Sequence, residues 1–173
     1  ARLFFQSLPA AALPSACGTA LYAAASAEAH NSIGNDRKIN CAGVKSAGDL
    51  CALQDRLKYK FQDKSLLVTA LRHRSWVNEV NNTAASNERL EFLGDAVLGW
   101  VVTDMLYHQY PELSEGQLSD IRKRVVNADA LSSVAHTLSL GDHVLLNRGE
   151  LGQEGRQKVS ILCDTVEAVV GAV

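Results

Sequence analysis

Three carboxylates recur at helical spacing in the middle of the chain. Glu88, Glu91 and Asp95 are three and four residues apart, so in a helix they fall on one face, within about 60° of one another. The opposite side of that helix is apolar, and we expect it to be buried: Leu90, Leu93, Val97, Trp100 and Val101. An acidic ridge along a buried helix either faces water or holds a cation.

A second acidic pair lies near the end of the sequence. Asp164 and Glu167 are three residues apart and share a helical face. The other side of this segment is again apolar, with Leu162, Val166, Val169 and Val173. Packed side by side, the two helices would bring five carboxylates together, and such charges repel and raise one another's pKa values unless a cation neutralises them. Oxygen ligands on rigid helices suit Mg²⁺ or Mn²⁺.

The segment around the first ridge resembles a known family signature. Residues 87–98 read NERLEFLGDAVL, which is similar to the signature of the ribonuclease III family of double-stranded RNA endonucleases. Three further segments resemble other motifs of that family in the same order: 69–75, 114–126 and 160–171. The resemblance covers roughly residues 52–173.

The resemblance implies a fold and a set of site residues. No strand pattern or internal repeat is evident, so we expect an all-α ribonuclease III-type helical bundle. The residues that the resemblance assigns to the cations are Glu91, Asp95, Asp164 and Glu167. Glu167 is expected to bridge them, with Asp95 as its catalytic partner. Gly94, just before Asp95, is expected to leave room for a close neighbour. Around the cation ligands we expect Glu88, which would orient the site or pair with a basic group such as Arg89. We also expect Glu115, whose family counterpart lies near the dimer interface and the RNA cleft.

The resemblance also implies an activity. A family member hydrolyses phosphodiester bonds of double-stranded RNA with Mg²⁺, for which Mn²⁺ can substitute, and leaves 5′-phosphate and 3′-hydroxyl ends with a short 3′ overhang. It works as a homodimer in which each site cuts one strand, and its substrates include ribosomal RNA precursors and other structured transcripts. Two metal ions can supply the activated water and the charge neutralisation for this reaction, and no Ser/His/Asp or Cys/His triad is evident.

The net charge does not favour unaided RNA binding. From residue 51 onward, 13 Lys and Arg stand against 16 Asp and Glu, whereas proteins that grip RNA alone are usually basic. Bound cations would offset part of the negative charge, and a separate RNA-binding domain would help more. Five basic residues are candidates for phosphate contacts, although a solvated surface explains them equally well: Arg122, Lys123, Arg124, Arg156 and Lys158.

The composition divides the chain into two regions. Residues 1–50 are rich in Ala, Ser and Gly, with no acidic residue before Glu28. They are interpreted as a low-complexity extension or as a targeting segment, although Arg2 is the only basic residue before Arg37. Residues 51–173 are interpreted as the catalytic domain. We expect this domain to be incomplete at its C-terminal end and to lack the double-stranded RNA-binding domain common in the family.

Cysteine usage and hydropathy predict the compartment. The four cysteines, Cys17, Cys41, Cys51 and Cys163, show no paired metal-ligand spacing, so we expect free thiols in a reducing environment. No apolar run reaches the roughly 18 residues that a membrane span requires. We therefore expect an intracellular protein, cytoplasmic unless residues 1–50 are a transit segment.

Local signals predict the order of helices. Short helices are expected over 53–60 and 63–72, the second capped by Asp63, and then a polar loop over 78–87. Longer helices are expected over 87–107, over 114–126 and from 127 or 129 to 140, where Gly141 would end the helix. A Gly-rich connection over 141–155 leads to the last helix. His73 could position groups near the site, but a satisfied, half-buried histidine is the commoner case.

Two other functions fit parts of the pattern. A non-catalytic relative could serve as an RNA-binding or ribosome-associated scaffold, but such relatives usually lose acidic ligands that are all present here. A different all-α metal enzyme, such as a nucleotide pyrophosphohydrolase, also places Glu-x-x-Glu pairs on helices. That class should lack Gly94 and the segment around His73.

Overall fold

The computed structural model describes residues 47–80 and 83–173, and over these residues the chain is helical without a strand. The α-helices are α1 (Ala47–Leu57), α2 (Lys64–Ala70), α3 (Arg74–Glu79), α4 (Glu88–Gln109), α5 (Glu115–Val125), α6 (Ala128–Thr137), α7 (Arg148–Gly152) and α8 (Val159–Ala172). Two 3₁₀ turns lie at Leu140–Asp142 and Gly155–Gln157. The expected all-α bundle is confirmed, and the nearest approach to a sheet is an isolated parallel bridge between Arg72 and Leu145.

Helix α8 lies at the centre of the bundle. It packs most extensively against α4 and next against α6, and it is buried on most sides: Ile161, Leu162, Thr165, Val166, Ala168, Val169 and Ala172. Leu53 of α1 and Leu67 of α2 close the same core. The apolar side predicted for this helix is therefore buried, and Asp164 and Glu167 are held on its remaining, half-buried side.

The buried side of α4 is not the one predicted. Its buried residues are Gly94, Leu98, Val102 and Leu106, which share a face with Glu91 and Asp95 because positions three and four apart align on a helix. Leu93 and Trp100, expected in the core, are 49% and 57% exposed. The prediction was wrong because α4 is apolar almost all round, so periodicity could not say which side meets α8.

Several helix boundaries also differ from prediction. Helix α1 begins at Ala47 rather than near residue 53, and α3 forms in a segment for which no helix was predicted. Helix α6 ends at Thr137 rather than near residue 140. Gly141 is not its cap, since it lies in a 3₁₀ turn where a Cβ atom would come within 2.3 Å of the Arg156 carbonyl oxygen.

The predicted starts of α2, α5 and α6 are confirmed. The Asp63 side chain accepts a hydrogen bond from the Ser65 amide at 2.8 Å. Ser114 opens α5 with a capping box. Asn127, one of the two candidates for α6, is the residue that caps it.

Some predictions fall on residues that the structure does not describe. The interpretation of the N-terminal region, up to residue 46, and the state of Cys17 and Cys41 lie outside the described residues. Cys51 and Cys163 are free thiols. None of the helices within 47–80 and 83–173 is long and apolar enough to cross a membrane.

Candidate metal centre and the adjoining cleft

Two glycines let α4 and α8 cross with their backbones in contact. A Cβ atom on Gly94 would lie 1.7 Å from the carbonyl oxygen of Glu167, and one on Gly171 would lie 2.2 Å from that of Leu90. No side chain fits at either position, so the helices approach as closely as backbones can. The sequence indicated this role for Gly94, whereas the matching role of Gly171 was missed.

The crossing brings together the four carboxylates predicted as cation ligands. Glu91 and Asp95 come from α4, while Asp164 and Glu167 come from α8. Burial, and then the negative charges of the other three carboxylates, raise the pKa of Glu167 to about 7. The charges of carboxylates on both helices thus reach Glu167, and its bridging role stays a prediction.

The pKa values of two neighbouring carboxyl groups are also raised. Burial, followed by repulsion from Asp164 and Glu88, raises the pKa of Glu91. Burial also raises the pKa of Asp164, against the opposing charges of His73 and Arg74. The cluster therefore holds negative charge that the protein alone leaves poorly compensated. An all-oxygen donor set of this kind fits a hard divalent cation.

Cys163 lies beside this cluster, a neighbour that the sequence did not reveal. Its sulfur and carboxylate oxygens of Asp164 and Glu167 all lie within 4.8 Å of one another, and the thiol donates to Glu167 Oε1 at 3.8 Å. Burial, and then the charges of Glu167 and Asp164, raise the pKa of the Cys163 thiol to about 12. In the metal-free protein the thiol is therefore protonated at neutral pH and acts as a donor to Glu167.

The two acidic residues expected around the centre occupy different places. Glu88 accepts a hydrogen bond from Ser86 Oγ at 2.7 Å and lies 3.9 Å from Arg74, which takes the place proposed for Arg89. Glu115 is an exposed residue at the start of α5, where it accepts a hydrogen bond from Ser119 Oγ at 2.7 Å. Only Glu88 therefore adjoins the carboxylate cluster through the contacts seen here.

The candidate RNA-binding residues fall into two groups. On α5, Arg122 donates to Thr103 Oγ1 at 3.1 Å, Lys123 lies 3.8 Å from Asp120, and Arg124 is exposed. Before α8, the Arg156 guanidinium donates to the Gly141 carbonyl at 2.5 Å. That contact ties Arg156 to the 3₁₀ turn and gives it a structural role.

An open cleft of about 1080 Å³ adjoins the carboxylates. Its lining includes the acidic residues Glu88, Glu91 and Asp164, together with His73 and Lys158. The Lys158 ammonium donates to Glu150 Oε2 at 2.6 Å, and this hydrogen bond lowers the pKa of Glu150. Of the five predicted basic residues, Lys158 is the one that lines the cleft.

His73 is fixed in the cleft wall by its neighbours. It caps α3, and its Nδ1 accepts the backbone N–H of Ser75 at 3.3 Å. The Ser75 hydroxyl lies 2.8 Å from the same nitrogen and accepts the Asn147 amide at 3.2 Å. Burial lowers the pKa of His73. His73 is therefore half-buried, as expected, with hydrogen-bond partners at Nδ1, and it also lines the cleft.

The fold and the site together define an all-helical domain whose two longest described helices hold a carboxylate cluster beside an open cleft. Residues 63–173 match the family model described as Ribonuclease-III-like, and the chain belongs to the ribonuclease III family. The match therefore shows membership of the ribonuclease III family and not of the nucleotide pyrophosphohydrolases.

The relatives that the chain resembles are bacterial proteins named Ribonuclease 3. It is 55% identical over 121 residues to that of Streptomyces coelicolor, covering 70% of this chain and 43% of that protein. It is 45% identical over 133 residues to that of Borreliella afzelii, covering 77% and 54%. The chain thus spans about half the length of the curated relatives it matches.

Solved structures give the same assignment. The nuclease domain of ribonuclease III from Campylobacter jejuni superimposes with a TM-score of 0.65 at 43% identity, covering 70% of this chain and 81% of that one. A second structure of that domain gives 0.66 at 42% identity. The match therefore concerns the nuclease domain.

Proposed function

We propose that the chain is a divalent-metal-dependent endonuclease that cleaves double-stranded RNA, in the processing of ribosomal RNA precursors and other structured transcripts. The observation that carries this proposal is the meeting of Glu91 and Asp95 with Asp164 and Glu167 at a crossing of two helix backbones. Mg²⁺, with Mn²⁺ as a substitute, is the cation that this donor set favours.

The carboxylates of the cluster would have separate roles in binding cations and in catalysis. Glu91, Asp95, Asp164 and Glu167 would hold the cations, which supply an activated water and neutralise charge on the phosphate and the leaving oxygen. Glu167 and Asp95 are the carboxylates to which the family resemblance assigns the catalytic role, and they interact across the crossing. Glu88, bound by Ser86 and close to Arg74, would support this arrangement from the cleft side.

The activity is tested with a labelled RNA duplex. Wild-type protein should make discrete double-strand cuts in Mg²⁺, with 5′-phosphate and 3′-hydroxyl ends, but should only bind in Ca²⁺. Glu167→Gln should lose cleavage, and the matched control Glu112→Gln, an exposed glutamate outside the cluster, should retain it. Duplex binding without cutting in Mg²⁺ would instead identify a non-catalytic scaffold.

We further propose that two copies associate through α4. One side of this helix exposes large apolar residues: Phe92 is 82% exposed, Trp100 is 57% exposed and Tyr107 is 67% exposed. Contiguous exposed apolar surface marks interaction sites in soluble proteins. One Campylobacter jejuni structure is described as showing flexibility in a region involved in dimer formation of its nuclease domain, which supports the same arrangement here.

The dimer is tested by sedimentation. Trp100→Glu should shift the protein from dimer to monomer, because it places a charge in the middle of the apolar side of α4. Leu151→Glu, which changes an equally apolar residue that is 44% exposed on α7, is the control and should remain dimeric. A wild-type protein that is monomeric at all concentrations would exclude the proposed interface.

RNA contacts are proposed for the basic residues that remain accessible. Lys158 lies in the cleft, and Arg122, Lys123 and Arg124 are exposed on α5. Glu115 opens α5 and would act near this surface rather than at the metal centre. The duplex would be read chiefly through its shape and 2′-hydroxyls. Replacing Lys158 by Met should lower the salt dependence of RNA binding by about one phosphate contact.

A further inference from the structure

The hydrogen bonds of His73 determine where its ring carries a proton. Nδ1 accepts the Ser75 backbone N–H at 3.3 Å, and this contact requires a lone pair on that nitrogen. The Ser75 hydroxyl, which accepts the Asn147 amide, can donate to the same nitrogen at 2.8 Å. A neutral ring with Nδ1 as an acceptor must carry its proton on Nε2. His73 is thus held as an Nε2–H donor.

The ring cannot easily change this orientation, because two segments of chain fix it. The backbone amide of His73 donates to the Leu145 carbonyl at 3.2 Å, beside the parallel bridge between Arg72 and Leu145. Asn147 then reaches Ser75 from the same segment. The hydrogen bonds that the ring makes with described residues use Nδ1, so Nε2–H is left for the cleft that His73 lines.

The surroundings indicate what this donor is for. The cleft leads directly to Glu91 and Asp164 of the carboxylate cluster, which is where a scissile linkage must be placed for cleavage. Asn87 lines the same cleft and buries an amide nitrogen that has no hydrogen-bond partner among the described residues. His73 and Asn87 therefore add N–H donors to a cleft wall whose other charged groups are mainly carboxylates, among them Glu88, Glu150 and Asp164.

We propose that His73 donates a hydrogen bond from Nε2 to a backbone oxygen of the RNA strand that lies in this cleft, and so positions that strand beside the metal centre. This inference rests on the proposed endonuclease function and adds a substrate-contact residue to it. The accepting oxygen belongs either to a phosphate or to a 2′-hydroxyl, and both present the same acceptor to an N–H group.

Two substitutions separate this contact from the capping role of His73. Asn ends where Nδ1 lies and is among the best helix caps, so His73→Asn should keep the Ser75 contact and the stability but lose the donor. Gln reaches as far as Nε2, so His73→Gln should keep the donor and lose the cap. His136→Asn, at an exposed position on α6, is the matched control.

Binding of an RNA duplex in Ca²⁺ and thermal unfolding are measured for all four proteins. We expect His73→Asn to unfold like wild type and bind about tenfold more weakly, and His73→Gln to be less stable but to bind better than His73→Asn. Equal binding by wild type and His73→Asn would overturn the inference, as would losses of affinity that follow losses of stability. If wild type does not bind the duplex at all, the proposed function itself fails.

Modified duplexes identify the accepting oxygen. Single methylphosphonate or single 2′-deoxy substitutions are introduced one position at a time around the cleaved linkage. At one position a modification should weaken binding by wild type while leaving binding by His73→Asn unchanged. A methylphosphonate effect assigns the contact to a phosphate, and a 2′-deoxy effect assigns it to a hydroxyl. Equal effects on both proteins at every position would refute the contact.

Discussion

Replacing Gly94 by Ala should separate α4 from α8 and disable the metal centre. The new Cβ atom would lie 1.7 Å from the Glu167 carbonyl oxygen and 2.9 Å from the Gly171 amide nitrogen, and Cβ contacts under 3.0 Å are essentially never observed. Both obstacles are backbone atoms, so no side-chain rotation relieves them. The two helices must therefore move apart by at least about 1.3 Å.

This displacement has two measurable consequences. Overpacking of a rigid core typically costs about 1–3 kcal/mol, and a clash with backbone on both sides should fall at the upper end of that range. The displacement also exceeds the roughly 0.5 Å tolerance of a functional constellation. We therefore expect the affinity for Mg²⁺ to fall and the cleavage rate to drop about a hundredfold or more.

Gly99→Ala is the matched control because it makes the same change in the same helix. A Cβ atom at Gly99 meets no atom within 4 Å, so this variant should gain about 0.5–1 kcal/mol from helix propensity. Chemical denaturation gives the free energy of unfolding, and calorimetric titration gives the affinity for Mg²⁺. If Gly94→Ala matches wild type in both measurements, the crossing does not position the carboxylates as described.

Three further outcomes follow from the same geometry. The folded-state pKa of Glu167 is raised to about 7 from an ordinary value near 4.5, so metal-free protein should lose stability as the pH rises between these two values. Glu167→Gln should lose less stability over the same pH range, and Mg²⁺ binding to wild type at pH 6.5 should release protons. Equal dependence of stability on pH in the two proteins would contradict the assignment of this effect to Glu167. With a thiol pKa of about 12, Cys163 should be alkylated by iodoacetamide at pH 7.5 far more slowly than the exposed Cys51, as mass spectrometry of timed samples can show. Ser114→Ala, which removes the cap of α5, should cost about 1 kcal/mol in chemical denaturation, and no loss would mean that the capping box does not stabilise the helix.

The acidic cluster could be predicted because it depends on the local spacing of carboxylates along two helices. Carboxylates three and four apart on two helices share faces whatever the rest of the fold does, and Gly94 indicated a close neighbour. Which helix lies against Gly94 depends on tertiary packing, and the sequence did not identify it as α8. The role of Gly171 depends on the same packing and was therefore missed. The contact of Cys163 with Glu167 is local, four residues along the same helix, and it was missed because a cysteine without paired metal-ligand spacing was taken only as a free thiol.

The orientation of α4 and the short helices were harder to predict. Phe92, Leu93 and Trp100 are as apolar as Leu98 and Val102, so hydrophobic periodicity could not separate the side that meets α8 from the side left exposed. Helices α3 and α7 are too short for a periodic signal. Each begins at a side-chain cap, from His73 in one case and Asn147 in the other.

The central position of α8 has a consequence for synthesis of the chain. Every other described element precedes α8, so α2, α4 and α6 leave the ribosome before the helix on which they pack. Until then Gly94 of α4 lacks the backbone that it packs against, and the growing chain carries Glu91 and Asp95 without the other two carboxylates. The carboxylate cluster therefore assembles late, and a chain interrupted before residue 164 contains only two of its four members.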